Sequence, residues 1–145
     1  MLAPAEILLV EDNPADIRLT QEVLADSKLK NRLHIVKDGA NALDFLYQRA
    51  PYTDAPRPDL VLLDLNLPGV DGHQVLKTVK NDPALRTIPI VIMTTSSADE
   101  DILSTYENAA NCYVTKPLDF DQFIKVVETL EEFWFTIVRL PKPNQ

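Results

Sequence analysis

Short, nearly continuous apolar runs alternate along this chain with longer amphipathic stretches. Ile7-Leu8-Leu9-Val10, Leu60-Val61-Leu62-Leu63 and Ile88 to Met93 are rich in branched side chains. Such runs predict strands buried on both faces, as in a parallel sheet. Leu33 to Val36 and Cys112 to Val114 predict two weaker strands. Helix starts are marked between them. Asn13-Pro14 offers a side-chain cap followed by a proline at the first helical position. Asp38 and Asp71 can cap the second and third helices. Ser97-Ala98-Asp99-Glu100 has the capping-box spacing, and Asp119 with Gln122 is close to it. Val75, Leu76 and Val79 give the third helix an apolar stripe. Phe123, Val126, Val127, Leu130, Phe133, Trp134 and Ile137 give the last helix a longer one. The sum is five βα units, an α/β fold whose five-stranded parallel sheet is doubly wound through right-handed crossovers.

Arg49 to Pro58 interrupts the alternation with three prolines, at 51, 56 and 58. It predicts a stiff loop before the third strand, either a surface connector or a partner-binding loop.

The 145 residues fit one domain, 1–145, with no material for a separate effector, so output is expected from this domain's own surface. The net charge of −8 and the lack of a dense Lys/Arg patch argue against broad nucleic-acid binding. No apolar run approaches the ~20 residues of a membrane span. The single Cys112 excludes an internal disulfide and fits a reducing compartment, so a cytoplasmic protein is expected. Cys112 itself reads as a small buried strand residue. His34 and His73 have no metal-ligand spacing to another His or Cys and are expected to be structural or superficial.

The chemistry gathers at strand ends. Glu11 and Asp12 follow the first strand, Asp64 closes the third, Thr94 closes the fourth and Lys116 follows the fifth. Open α/β sheets bind ligands at the carboxyl ends of their strands, so the fold would bring these five together. Three carboxylates in one pocket repel one another unless a cation intervenes, and Mg²⁺ accepts carboxylates together with phosphate oxygens. Thr94 adds a hydroxyl donor and Lys116 a fixed positive charge. Asp64 then faces a cation-rich, phosphate-shaped hole, which suits attack on phosphorus and an aspartyl phosphate. Taken singly, an acidic pair is also a helix-dipole partner, Lys-Pro a turn, and a strand-end Thr structural. An Asp at the mouth of a buried strand has less need of a structural explanation.

Four segments carry a resemblance: Ile7 to Asn13, Leu63 to Gly72, Pro89 to Thr95, and Tyr113 to Pro117. Over nearly its full length the chain resembles the receiver domains of two-component response regulators. The resemblance implies the flavodoxin-like (βα)5 fold with strand order 2-1-3-4-5. It implies that Asp64 is the phosphoacceptor, loaded from a phosphohistidine on a histidine kinase. Asp12, Asp64 and the backbone carbonyl of Asn66 would bind Mg²⁺, with Glu11 acting mostly through water. Thr94 would follow the phosphoryl group, Tyr113 would change rotamer with it, and Lys116 would pair with its oxygens. Thr95 departs from the commoner Ala or Gly and is expected to narrow access to that group. Such a protein is a switch rather than a turnover enzyme. The insert Tyr52 to Pro58, the run Ala110 to Tyr113 and the tail Phe133 to Pro141 resemble the small response regulators paired with cyanobacterial phytochromes. A phytochrome-type kinase partner follows from that likeness.

Phe133, Trp134, Phe135, Ile137, Val138 and Leu140 wrap most of the last helix, more than one packed face needs. The end of that helix and the tail, 132–145, are therefore expected to form a homodimer contact; burial of the whole helix end within its own domain is the alternative. Two rival functions would leave different residues at the site. An aspartyl-nucleophile phosphatase would place a second Asp where Asn66 stands. A flavodoxin-like cofactor carrier would need a hydroxyl- and Gly-rich loop where Glu11 to Asp16 is acidic.

Overall fold

The computed structural model describes residues 4–94, 112–115 and 120–139; side chains at 94, 112–115, 120, 130 and 133–139 are not among those described. Five strands, β1 (Ala5–Val10), β2 (Asn31–Val36), β3 (Leu60–Asp64), β4 (Ile90–Thr94) and β5 (Cys112–Thr115), form one sheet in the order β2-β1-β3-β4-β5. Every neighbouring pair is parallel. Three helices, α1 (Pro14–Ala25), α2 (Gly39–Leu46) and α3 (Gly72–Lys80), follow the first three strands, and a C-terminal helix spans Phe120–Arg139.

The strand pleat divides the core into two layers. Ile7 and Leu9 of β1, Leu60 and Leu62 of β3, and Val91 and Met93 of β4 face α1 and the C-terminal helix, where Val23, Leu24, Phe123 and Val127 meet them. Leu8 and Val10, Val61 and Leu63, and Ile90 and Ile92 face the other way, onto Phe45, Val75, Leu76 and Val79 of α2 and α3. Alternation with both faces covered is why these strands read as unbroken apolar runs. Each fully buried aliphatic side chain contributes about 1.5–3 kcal/mol.

The expected caps are present. The Asn13 side chain accepts from the amides of Ala15 and Asp16, Asp38 accepts from Asn41 N, and Asp71 accepts from Gln74 N. The capping patterns at Ser97 and Asp119 lie outside the described residues. One strand boundary moves. Ile88 is buried in the turn before β4, which begins at Ile90, because Pro89 between them has no N–H for the ladder. Its carbonyl still serves the sheet, accepting from Val61 N at 3.0 Å.

The proline-rich loop is fastened on both sides. Tyr52 donates its hydroxyl to Asn41 Oδ1 at 3.0 Å, and the Tyr52 ring packs on Phe45. Arg57 donates to the Ala84 carbonyl and to Thr87 Oγ1. Tyr52 and Ala55 lie against the core layer under α2 and α3. The segment is thus a strap over one face of the domain, more than a solvated connector. His34 is structural, as expected: its Nε2 lies 2.9 Å from Glu6 Oε1 and its ring tilts against Phe45.

Candidate functional site

The register of the sheet builds the site. Val10 lies beside Leu63, so the residues after β1 emerge next to Asp64, the last residue of β3. Asp64 in turn lies beside Met93, one residue before Thr94, and Thr94 lies beside Thr115. Four adjacent strands, β1, β3, β4 and β5, end on one rim.

Carboxylate oxygens of Glu11, Asp12 and Asp64 come within 4.8 Å of one another. Glu11 is fully buried, Asp64 is 4% exposed, and Asp12 reaches solvent. The buried pair is held by backbone. Glu11 Oε2 accepts from Asp12 N at 3.1 Å and Asn13 N at 3.2 Å, where the chain turns into α1. Asp64 Oδ1 accepts from Asn66 N at 2.9 Å. Gly72 N donates to the Leu65 carbonyl at 3.2 Å and closes the loop that follows Asp64. Gly69, at φ +68°, supplies the left-handed residue inside it.

Two unit charges of one sign at that spacing repel by roughly 3 kcal/mol at an effective dielectric of about 20. A divalent cation among the oxygens reverses the sign with twice the charge. An all-oxygen, all-carboxylate set of this kind suits a hard ion and offers nothing to a soft one. The residues present therefore fit a divalent metal.

Of the residues expected to share the site, Glu11, Asp12, Asp64 and Asn66 stand together on this rim. The backbones of Thr94 and Tyr113 are in β4 and β5 as expected, and their side chains lie outside the described ones. Thr95 and Lys116 lie outside the described residues. Phe133, Trp134, Phe135, Ile137 and Val138 belong to the C-terminal helix by backbone, with side chains outside those described. Two contributors escaped the sequence reading. The amides of Asp12 and Asn13 clasp Glu11, and glycines 39 and 72 allow close backbone approaches behind the site. The only sequence signal for the latter is a Gly directly after each capping Asp.

The chain resembles known proteins along nearly its whole length. The chain is 47% identical over 138 residues to the response regulator Rcp1 of Synechocystis sp., covering 95% of this chain and 94% of that protein. It is 41% identical to the probable methanogenesis regulatory protein FilR2 of Methanothrix harundinacea, over 97% of this chain and 90% of that one. The Mn²⁺-bound form of Rcp1 superposes with a TM-score of 0.85 at 47% identity, covering 96% of this chain and all of that one. The phosphorylated cyanobacterial phytochrome response regulator RcpA gives 0.86 at 46% identity, over 97% and 100%. Residues 7–128 match the response regulator receiver domain. The acidic rim, the sheet order and these likenesses agree, and the chain belongs to the response regulator receiver domain family.

Proposed function

We propose that Asp64 accepts a phosphoryl group from a phosphohistidine of a phytochrome-type histidine kinase, with Mg²⁺ held by Asp12, Asp64 and the Asn66 carbonyl, and Glu11 acting through water. The observation that carries this is the convergence of Glu11, Asp12 and Asp64 within 4.8 Å at neighbouring strand ends. The nature of the kinase is supported by the likeness to RcpA.

A carboxylate oxygen of Asp64 forms the new bond to phosphorus as the phosphorus–nitrogen bond breaks, and the imidazole of the donor leaves with the bonding pair. A metal ion held by these residues would supply charge neutralisation for the phosphoryl oxygens. Glu11, fixed by two backbone amides, and Asp12 keep the acidic rim in place around Asp64. The hydrogen bond from Asn66 N to Asp64 Oδ1 orients the carboxylate. Thr94 and Lys116 contact the transferred oxygens, and Thr95 borders them. Tyr113 follows Thr94 as the surface around β4 and β5 shifts between two populations. The protein is a cytoplasmic phosphoacceptor that signals through protein contacts, not an enzyme turning over a small substrate. Its C-terminal helix pairs two copies through Phe133, Trp134, Phe135, Ile137 and Val138.

Phosphotransfer from purified, autophosphorylated phytochrome-type kinase tests the reading. Wild type should take the label within minutes and Asp64→Asn should not; equal labelling of both would overturn it. Sedimentation at tens of micromolar should show a dimer, and a monomer there would refute the pairing.

A further inference from the structure

The loop that carries the proposed metal carbonyl, residues 65–71, is backed by an element with no acidic or phosphoryl-binding role. A Cβ built on Gly39, the first residue of α2, would overlap the Val70 carbonyl oxygen and stand 2.9 Å from the Val70 carbonyl carbon. Backbone thus packs on backbone, with nothing between that could yield. At the other end of the loop, a Cβ on Gly72 would fall 2.5 Å from both the Asp64 carbonyl oxygen and Leu65 Cα. Gly69, at the turn between them, has nothing within 4 Å of such an atom. The loop is therefore held at its far end and against α2, and open at its tip.

The α2 side of this contact is itself braced. Asp38 Oδ1 accepts from Asn41 N at 2.7 Å, its other oxygen accepts from Asn41 Nδ2 at 2.8 Å, and Tyr52 of the strap donates to Asn41 Oδ1. The first turn of α2 is pinned by three hydrogen bonds before it meets the loop.

We infer that Gly39 is a positioning residue for the metal site: by letting the first turn of α2 abut the Val70 carbonyl, it fixes the loop that presents Asn66. This rests on the proposed assignment of Asn66 as a metal ligand. A methyl at residue 39 pushes the 65–71 loop outward from α2. Partners one shell beyond a metal's own ligands change its affinity by about 10- to 100-fold when lost.

The test is Mn²⁺ titration followed by electron paramagnetic resonance on wild type, Gly39→Ala and Gly69→Asn, with thermal melts of each in chelator. Mn²⁺ affinity should fall about tenfold in Gly39→Ala while Gly69→Asn, in the same loop but off the contact, stays within about twofold of wild type. A purely structural role would lower the melting temperature of Gly39→Ala and leave its Mn²⁺ affinity intact, which overturns the inference. If Gly39→Ala does not fold, Asn41→Ala removes two of the three hydrogen bonds that pin the first turn of α2 and loosens the same abutment without added bulk; a wild-type Mn²⁺ affinity there overturns it equally. Absence of Mn²⁺ binding by wild type would instead sink the metal site itself.

Discussion

Asp12 is the one exposed carboxylate of the rim, and it has the least structural work to do. Glu11 is buried and tied to two amides, so its loss would disturb the turn into α1 as well as the site. Asp12→Asn should therefore separate function from folding. Divalent-metal affinity should drop about tenfold or more, with a melting temperature in chelator equal to or above wild type, because one repelling charge is gone. Calorimetric titration with Mg²⁺ and a melt in chelator read both. A second residue-scale test concerns Tyr47, whose hydroxyl donates to Asp82 Oδ2 at 2.6 Å under the stacked Arg49 guanidinium. The hydrogen bond to Asp82, with some burial, raises the Tyr47 pKa, and the same bond with that from Ala84 N lowers that of Asp82. The raised phenol stabilises the fold below its ordinary value near 10 and loses this as pH rises through the folded value. The lowered carboxyl stabilises above its ordinary value near 3.8 and loses this as pH falls through the folded value. Tyr47→Phe should lower the melting temperature between those limits and converge on wild type beyond either one.

Elements were legible in the chain wherever burial was local and continuous. β1, β3 and β4 announce themselves because both faces are covered, and α1 to α3 because Asn13, Asp38 and Asp71 cap them with side chains that accept from the first-turn amides. Asn13→Ala removes both acceptors at the head of α1, which also adjoins Glu11, and should cost about 1 kcal/mol in denaturant melts. The carboxylates were legible too, since Asp64 ends an apolar run and Glu11-Asp12 follow another. What could not be read is contact between elements distant in sequence. The strap was visible as prolines, yet its fastening depends on Tyr52 meeting Asn41 and Arg57 meeting the Ala84–Thr87 turn. The abutment of Gly39 on Val70 depends likewise on how α2 settles against the β3–α3 loop, and no local pattern encodes that.

Across the whole molecule, the parallel sheet is what turns separate sequence motifs into one site. Its order sets β1 and β3 side by side, so two acidic segments more than fifty positions apart share a rim, and β4 brings the Thr94 backbone alongside. The helices pack on both faces of the sheet behind that rim, while the first turn of α2, braced by the strap, abuts one loop of it. Trapping tests this account most directly. Wild-type protein is incubated with acetyl phosphate and Mg²⁺, reduced with borohydride to convert an acyl phosphate to homoserine, and mapped by peptide mass. Homoserine is expected at position 64 alone, in a Mg²⁺-dependent yield; modification at another carboxylate, or at Asp64 to the same extent in chelator, would contradict phosphoryl capture at this rim.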